Sequence, residues 1–446
     1  MKYNKLVVLK DNRVSGTLLD NNFIPNLNEW NKSGYDKDNL QVFHTHTDIF
    51  MEKRYTNEVL EWGFDDDTMY CYTLEPFGGL GNFLGVSDSY DIGCFERIKD
   101  EVKHHIKNTP NVYVLVLWPH ESTLGQSELS LLHEKLKENN IPPEKVVYVM
   151  NRNWSLQKDY DVIMNNPKND EKWYHLEGQK KINFVNFDYF LIEKGIEAVN
   201  DNFYEDRSFL QNKRDKRFIC LNKRLAMRWH RMLTICLANK DGFLDENYFS
   251  YDTEYQGMQN KVNWHSIPGK ISQFYDLLEV QNSYTDLIKN RPVSHLDFTD
   301  FNSITGFRTE AEEYYKNSYF SLVTETMHFE PIDFNTEKIF KPICHFHPFL
   351  LLGRPGNLKK LHDFGFKTFS EFWDESYDDE QDDAKRFKMV YDIFYKLNKM
   401  DKDELHNLYL SMIPILEHNY SLICKYGNNR ENEYKKLEQK IIECTK

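Results

Sequence analysis

A carboxylate and an ammonium stand side by side at Glu337 and Lys338, inside the run FNTEKIFKPICHFHPFLLLGRPG (Phe334–Gly356). Asn335 or Thr336 is a natural N-cap, so the pattern predicts a helix start whose unpaired N–H groups accompany these two side chains. Lys341 follows Lys338 by one turn and shares its face. Such a start can hold an anion, although an ordinary capped helix with solvated lysines reads the same way. Basic groups recur in RFICLNKR: Lys223 and Arg224 follow a short buried strand on the turn into a helix, with Arg228 and Arg231 further along it. Glu325 ends a second strand, YFSLVTET. Lys and Arg neutralise a diphosphate, Arg bidentately, and a carboxylate accepts both hydroxyls of a ribose. The chemistry this set suggests is the binding of a nucleotide-bearing ligand through Lys223, Arg224, Arg228, Glu325, Thr336, Glu337, Lys338 and Lys341.

A base for proton transfer is sought in the first half. His120 and Glu121, in WPHES, follow the most apolar strand of the chain, and carboxyl ends of strands are where ligands of α/β folds gather. Glu75 stands ahead of the glycine-rich EPFGGLGNFLG, where Gly78, Gly79 and Gly81 permit close backbone approach. A solvated turn in the first case and a tight turn in the second are the plain alternatives. No metal site is expected. His44 and His46, and Cys344 with His345 and His347, supply too few local ligands. The Asp-rich Asp65–Asp67 and Asp159–Asp161 lie in polar stretches rather than at strand ends.

These groups need elements to carry them. NVYVLVLWPHE is near-continuously apolar and β-branched, as in a strand covered on both faces of a parallel sheet. An amphipathic helix, a turn at Pro142–Pro143 and a strand at Val146–Met150 complete a strand-helix-strand unit, and INFVNFDYFLIE adds another strand. The charged stretch Asn200–Lys216 lacks apolar periodicity and reads as a boundary, which gives domains 1–205 and 206–446. The second domain repeats the alternation: strands at Arg217–Asn222, Tyr319–Thr326 and Pro348–Gly353, a helix from Thr336, a last strand at KTF (367–369), and helices from Asp383 onward. The expected fold is α/β, with two Rossmann-like domains facing a cleft and a helical tail.

Composition narrows the partners. The 446 residues carry 40% hydrophobic and 15% aromatic side chains, which is globular, and a formal net charge of −14, which disfavours a dedicated nucleic-acid binder. No apolar run approaches a membrane span, and MKYNKLVVLKDN lacks a signal-peptide core. Seven scattered cysteines without a CxxC suit a reducing cytoplasm. Abundant Asn, Lys, Tyr and Phe hint at an AT-rich, viral genome.

The order RFICLNKR, YFSLVTET, TEKIFKPICHFHPFLLLGRPG over residues 215–370 resembles the nucleotide-sugar domain of GT-B glycosyltransferases, the α-1,3-fucosyltransferases being the nearest named comparison. The resemblance implies that Glu337 binds the nucleotide ribose while Lys338 and Arg224 bind the diphosphate. TETMHFE and KPICHFHPFLLLG depart from the family pattern, so it does not extend to fucose or guanine. The implied activity is transfer of a sugar from a nucleotide-sugar donor to an acceptor hydroxyl, inverting and metal-independent, in the cytoplasm (the host's, if viral). The acceptor is expected to be a saccharide or small molecule. A viral enzyme acting on hydroxylated DNA bases and a non-catalytic nucleotide-sugar or glycan binder are the alternatives.

Overall fold

The computed structural model describes residues 3–10, 50–55, 59–61, 63–74, 95–96, 98–118, 126–151, 154–165, 176–200, 206–225, 228–252, 254–255, 258–259, 269–291, 293–294, 312–326, 328 and 335–445. Two compact units divide them: one of residues up to Tyr189 together with Asn429–Lys446, the other of Phe190–Glu330 and Asn335–Asn428.

The first unit is built on a six-stranded, wholly parallel sheet: β1 (Lys5–Lys10), β2 (Lys53–Tyr55), β3 (Thr68–Leu74), β4 (Val112–Trp118), β5 (Val146–Met150) and β6 (Asn183–Asn186), in the order β2-β1-β3-β4-β5-β6. All seven residues of β4 and all five of β5 are buried, which is why those stretches read as unbroken apolar runs rather than alternating ones. Helices α1 (Asp100–Asn108), α2 (Gln126–Glu138) and α3 (Trp154–Asn165) supply the crossovers that parallel pairing requires. Tyr160 on α3 fastens this layer, its hydroxyl meeting His133 Nε2 at 2.9 Å and accepting from Ile182 N at 2.8 Å.

Helix α4 (Tyr189–Asn200) leads into the second unit, whose sheet comprises β7 (Lys216–Arg224), β8 (Tyr248–Asp252), β11 (Val293–Ser294), β12 (Ser318–Thr324) and β13 (Phe349–Leu352) in the order β11-β8-β7-β12-β13. A two-stranded ribbon of β9 (Glu254–Tyr255) and β10 (Met258–Gln259) stands apart from it. Among the described residues of the five-stranded sheet only the short edge strand β11 runs antiparallel. The chain passes from β7 to β8 on one side, then returns to place β12 on the other. The helices of this unit are α5 (Trp229–Lys240), α6 (Leu277–Asn290), α7 (Glu312–Lys316), α8 (Glu337–Cys344), α9 (Asn357–Asp363), α10 (Asp383–Lys399) and α11 (Lys402–Asn428). The last helix, α12 (Arg430–Cys444), belongs to the first unit, where it packs on β6 and β1, with Tyr434 against Phe187 and Glu438 accepting from Met51 N at 2.7 Å. Both sheets are thus of the expected parallel α/β kind. No described helix is long and apolar enough to cross a membrane.

Several expectations need correction. The units break at 189/190 and again at 428/429, not within 200–216. Helix α4 falls with the second unit because Gly195 lies backbone to backbone against Gly427 of α11, with a Cβ on Gly195 falling 2.6 Å from Gly427 N. Lys223 and Arg224 are not on a turn: β7 runs through both, and Arg224 is in register with Asp252 of β8 beyond an irregularity at Leu221. Helix α5 accordingly begins only at Trp229, with Arg228 as its N-cap residue. KTF forms no strand, because its N–H groups are taken by side chains. Lys367 N donates to Asn419 Oδ1 and Phe369 N to Glu375 Oε1, each at 2.8 Å.

Candidate functional site

In open α/β sheets ligands collect outside the carboxyl ends of the strands where the strand order reverses. In the second unit that point lies between β7 and β12. Asn222 of β7 and Thr324 of β12 bridge it through Thr324 Oγ1 and Asn222 Oδ1. Glu325 is the next residue, 1% exposed, and its carboxylate organises everything after it. Oε1 accepts from Thr336 N at 3.1 Å, while Oε2 accepts from Thr336 Oγ1 at 2.6 Å and Thr326 N at 3.1 Å.

Held in this way, Thr336 caps α8, its hydroxyl accepting from Lys338 N at 3.3 Å. Asn335 is not the cap but part of the support. Its Oδ1 accepts from Asn357 Nδ2 at 2.5 Å, and Asn357 Oδ1 accepts from Arg354 N at 2.6 Å. The strand PFLLLG ends in glycine for a related reason: a Cβ on Gly353 would fall 2.6 Å from Asn357 Oδ1 and 3.5 Å from Cβ of Glu325.

On the first turn of α8, Lys338 Nζ reaches back to Glu337 Oε1 at 2.6 Å, Thr326 Oγ1 at 3.1 Å and Thr336 Oγ1 at 3.4 Å. Burial would raise the pKa of Glu337, but Lys338, Lys341 and Lys194 outweigh it and hold the carboxyl down to about 2. Glu325 goes the other way, raised by burial against the pull of Lys338 and the Thr336 hydrogen bonds. Two neighbouring carboxyls are therefore driven apart.

The first turn of α5 ties the same strand end from the other side. His230 Nε2 meets Glu325 O at 2.9 Å, and Arg231 Nη2 donates to Thr324 O at 3.2 Å. His230 Nδ1 and Arg231 Nε have no hydrogen-bond partner among the described residues. Burial, reinforced by Arg228, lowers Arg231 to about 10, and burial with His328 beside it keeps His230 neutral. His328 stacks on His230 with ring centroids 5.1 Å apart. Arg386 holds the layer below, with Nε on Gly353 O at 2.9 Å and Nη2 on His328 O at 2.5 Å.

Of the residues expected from sequence, Glu325, Thr336, Glu337 and Lys338 share one hydrogen-bonded network, while Lys341 and Arg228 act on it through charge. Lys223 and Arg224 contribute described backbone to β7, but their side chains lie outside the described structure. Glu75, His120 and Glu121 lie outside the described residues, as do His44 and His46. His345 stacks on Tyr315 at 4.3 Å and His347 Nδ1 bonds Ser321 Oγ at 2.7 Å, so each is committed to packing, and no His/Cys/Asp/Glu group among the described residues is arranged for a metal. Asp161 sits on α3, paired with Lys181 at 2.8 Å. The sequence does not point to His230, His328 and Arg386, whose partners include backbone carbonyls far away in the chain.

The ionised form of Glu337 is favoured by folding, so the stability it contributes is present above its ordinary 4.5 and is lost as pH falls through about 2. Wild type should exceed Glu337→Gln by on the order of 3 kcal/mol near neutrality. Urea titrations at stepped pH should find that gap closing between about pH 4.5 and 2.

No protein-family model matches the chain, and no curated protein matches it. Among solved structures, the N-terminal domain of Candida albicans trehalose-6-phosphate phosphatase aligns over 96% of this chain and 96% of its own, at 9% identity and a TM-score of 0.39. At that score the likeness carries no argument.

Proposed function

We propose that the protein is a glycosyltransferase that moves a sugar from a nucleotide-sugar donor to an acceptor hydroxyl, with the donor held at the β7/β12 switch point. The observation that carries this reading is the Glu337–Lys338 pair at the start of α8, set against the carboxyl end of β12 by Glu325 and Thr336. A carboxylate and an ammonium there match the ribose and diphosphate of one ligand. When the glycosidic bond to phosphate breaks, charge grows on the departing oxygen, and a fixed cation stabilises it without needing a metal. The two-domain GT-B architecture, an inverting displacement and a base from the first unit (Glu121, His120 or Glu75) complete the reading. A saccharide or small molecule is favoured as acceptor because the −14 charge disfavours duplex DNA. A cytoplasmic location belongs to the same proposal.

The test is a panel of nucleotide sugars, scored first by ligand-induced rise in melting temperature and then by slow release of nucleoside diphosphate. One donor should stabilise and be hydrolysed, and EDTA should leave the turnover intact. Lys338→Ala should lower turnover by roughly 10²–10³-fold. Full activity in that variant refutes the donor site. A loss in EDTA that Mn²⁺ restores would shift attention to Asp159 and Asp161. Binding without any diphosphate release would make the chain a binding module.

A further inference from the structure

Neighbouring residues on a helix do not face each other, so an ion pair between Glu337 and Lys338 is not a product of helix geometry. It forms because Lys338 folds back over the start of α8, where Thr326 and Thr336 offer hydroxyls to its ammonium. An ammonium has three hydrogens, and here three acceptors take them. The two side chains therefore occupy one another. Their exposure is unequal: 25% of the lysine side chain is accessible against 11% of the glutamate. A ligand meets the lysine first, and Oε1 of the carboxylate is uncovered only when the ammonium leaves it.

We propose that this pair is a latch coupling two recognition events: an anion must draw Lys338 away before Glu337 can accept hydroxyls, and hydroxyls must then take up the exposed carboxylate. An anion alone must break the internal ion pair and leaves Glu337 with only the charges of Lys341 and Lys194 near it. A diol alone finds Glu337 already engaged. The ligand class that opens the latch carries both groups, as a ribonucleoside diphosphate does and as inorganic pyrophosphate or a 2′-deoxyribonucleoside diphosphate does not. The nucleotide half of this inference rests on the donor site proposed above; the anion half does not.

Calorimetry with inorganic pyrophosphate, and with matched ribo- and 2′-deoxyribonucleoside diphosphates, separates the two halves. Glu337→Gln removes the competing charge, so the variant should bind pyrophosphate at least about tenfold tighter than wild type, a difference of about 1.4 kcal/mol. Lys338→Met in the same background should abolish that gain. Wild type should prefer the ribonucleotide by about tenfold or more, and Glu337→Gln should lose the preference. Equal or weaker pyrophosphate binding by Glu337→Gln overturns the latch, even where wild type binds nucleotides well. Wild type that binds no nucleoside diphosphate overturns the donor reading and the diol half together, while tighter pyrophosphate binding by the variant would still establish the anion half. Should Glu337→Gln fail to fold, ¹³C-glutamate NMR of wild type decides the matter. Saturating pyrophosphate must then raise the pKa of Glu337 from about 2, and an unmoved titration overturns the latch.

Discussion

Gly427→Val should unfold the second unit or lower its melting temperature by roughly 10 °C. A Cβ at Gly427 would fall 2.7 Å from Ile196 N and closer still to the carbonyl of Gly195, and all of these atoms are backbone. Side chains can turn aside, but two helices touching through their main chains cannot yield without separating along their length. Overpacking that repacking can absorb costs about 1–3 kcal/mol. Here α4 must leave α11, and buried Cys344, whose Sγ lies 3.7 Å from Lys194 O, loses its neighbour as well. A loss above about 4 kcal/mol is expected, which in a unit of this size means a fall in melting temperature of roughly 10 °C or failure to fold. Gly427→Ala should show most of the effect, because the first carbon is the one that collides. Gly269→Ala, with no atom of the described residues within 4 Å of the added carbon, should melt within about 0.5 kcal/mol of wild type. Circular dichroism melts of the three variants decide it.

Glu325→Ala should cost about 3–5 kcal/mol and abolish the proposed nucleotide binding together with it. The carboxylate satisfies Thr336 N, the Thr336 hydroxyl and Thr326 N at once, and it offsets the positive charge of Lys338 and of buried Arg231. Alanine strands those buried donors without the oxygens that satisfy them, and it releases the cap that sets the first turn of α8. Glu325→Gln keeps the shape but turns an NH₂ group toward a donor, so an intermediate loss is expected. Contrast with Glu337→Gln makes the test specific: that change should leave α8 capped while altering what the site binds. If Glu325→Ala keeps wild-type affinity, Glu325 does not organise the site.

The parts legible in the sequence were those set by local pattern. The wholly buried runs at β4 and β5, the capped start of α8 and the C-terminal helices announce themselves through apolar continuity, a Thr before Glu-Lys, and helical periodicity. What stayed hidden depends on partners distant in the chain. Lys223 and Arg224 look like a turn, yet pairing with β8 extends them, and no local feature announces a neighbour at Asp252. KTF has strand-like composition, but Asn419 and Glu375 take its N–H groups before another strand can. Within the site, Glu325 and Glu337 could be named from their places after a strand and before a helix. His230 could not: its partner is the carbonyl of Glu325, 95 positions away, and carbonyls leave no trace in residue type. The single glycines Gly195 and Gly427 carry equally little signal, since each takes its meaning from the other.

The return of α12 to the first unit sets a timetable for synthesis. Strands β1 to β6 leave the ribosome long before Arg430–Cys444 exists, while all of 190–428 has still to be made. At about 5–20 residues per second the early sheet waits on the order of tens of seconds without the helix that packs on β6 and β1. Over that interval the seat of Tyr434 beside Phe187 and the backbone of Met51 that later meets Glu438 are open to other chains. The intervening 190–428 carries its own sheet and can complete it first. The nascent chain thus passes through a stage in which every strand of the earlier-made unit exists and its last helix does not. Aggregation and chaperone demand should concentrate at that stage, and supplying the α12 peptide in trans to a chain stopped at Asn428 should relieve both.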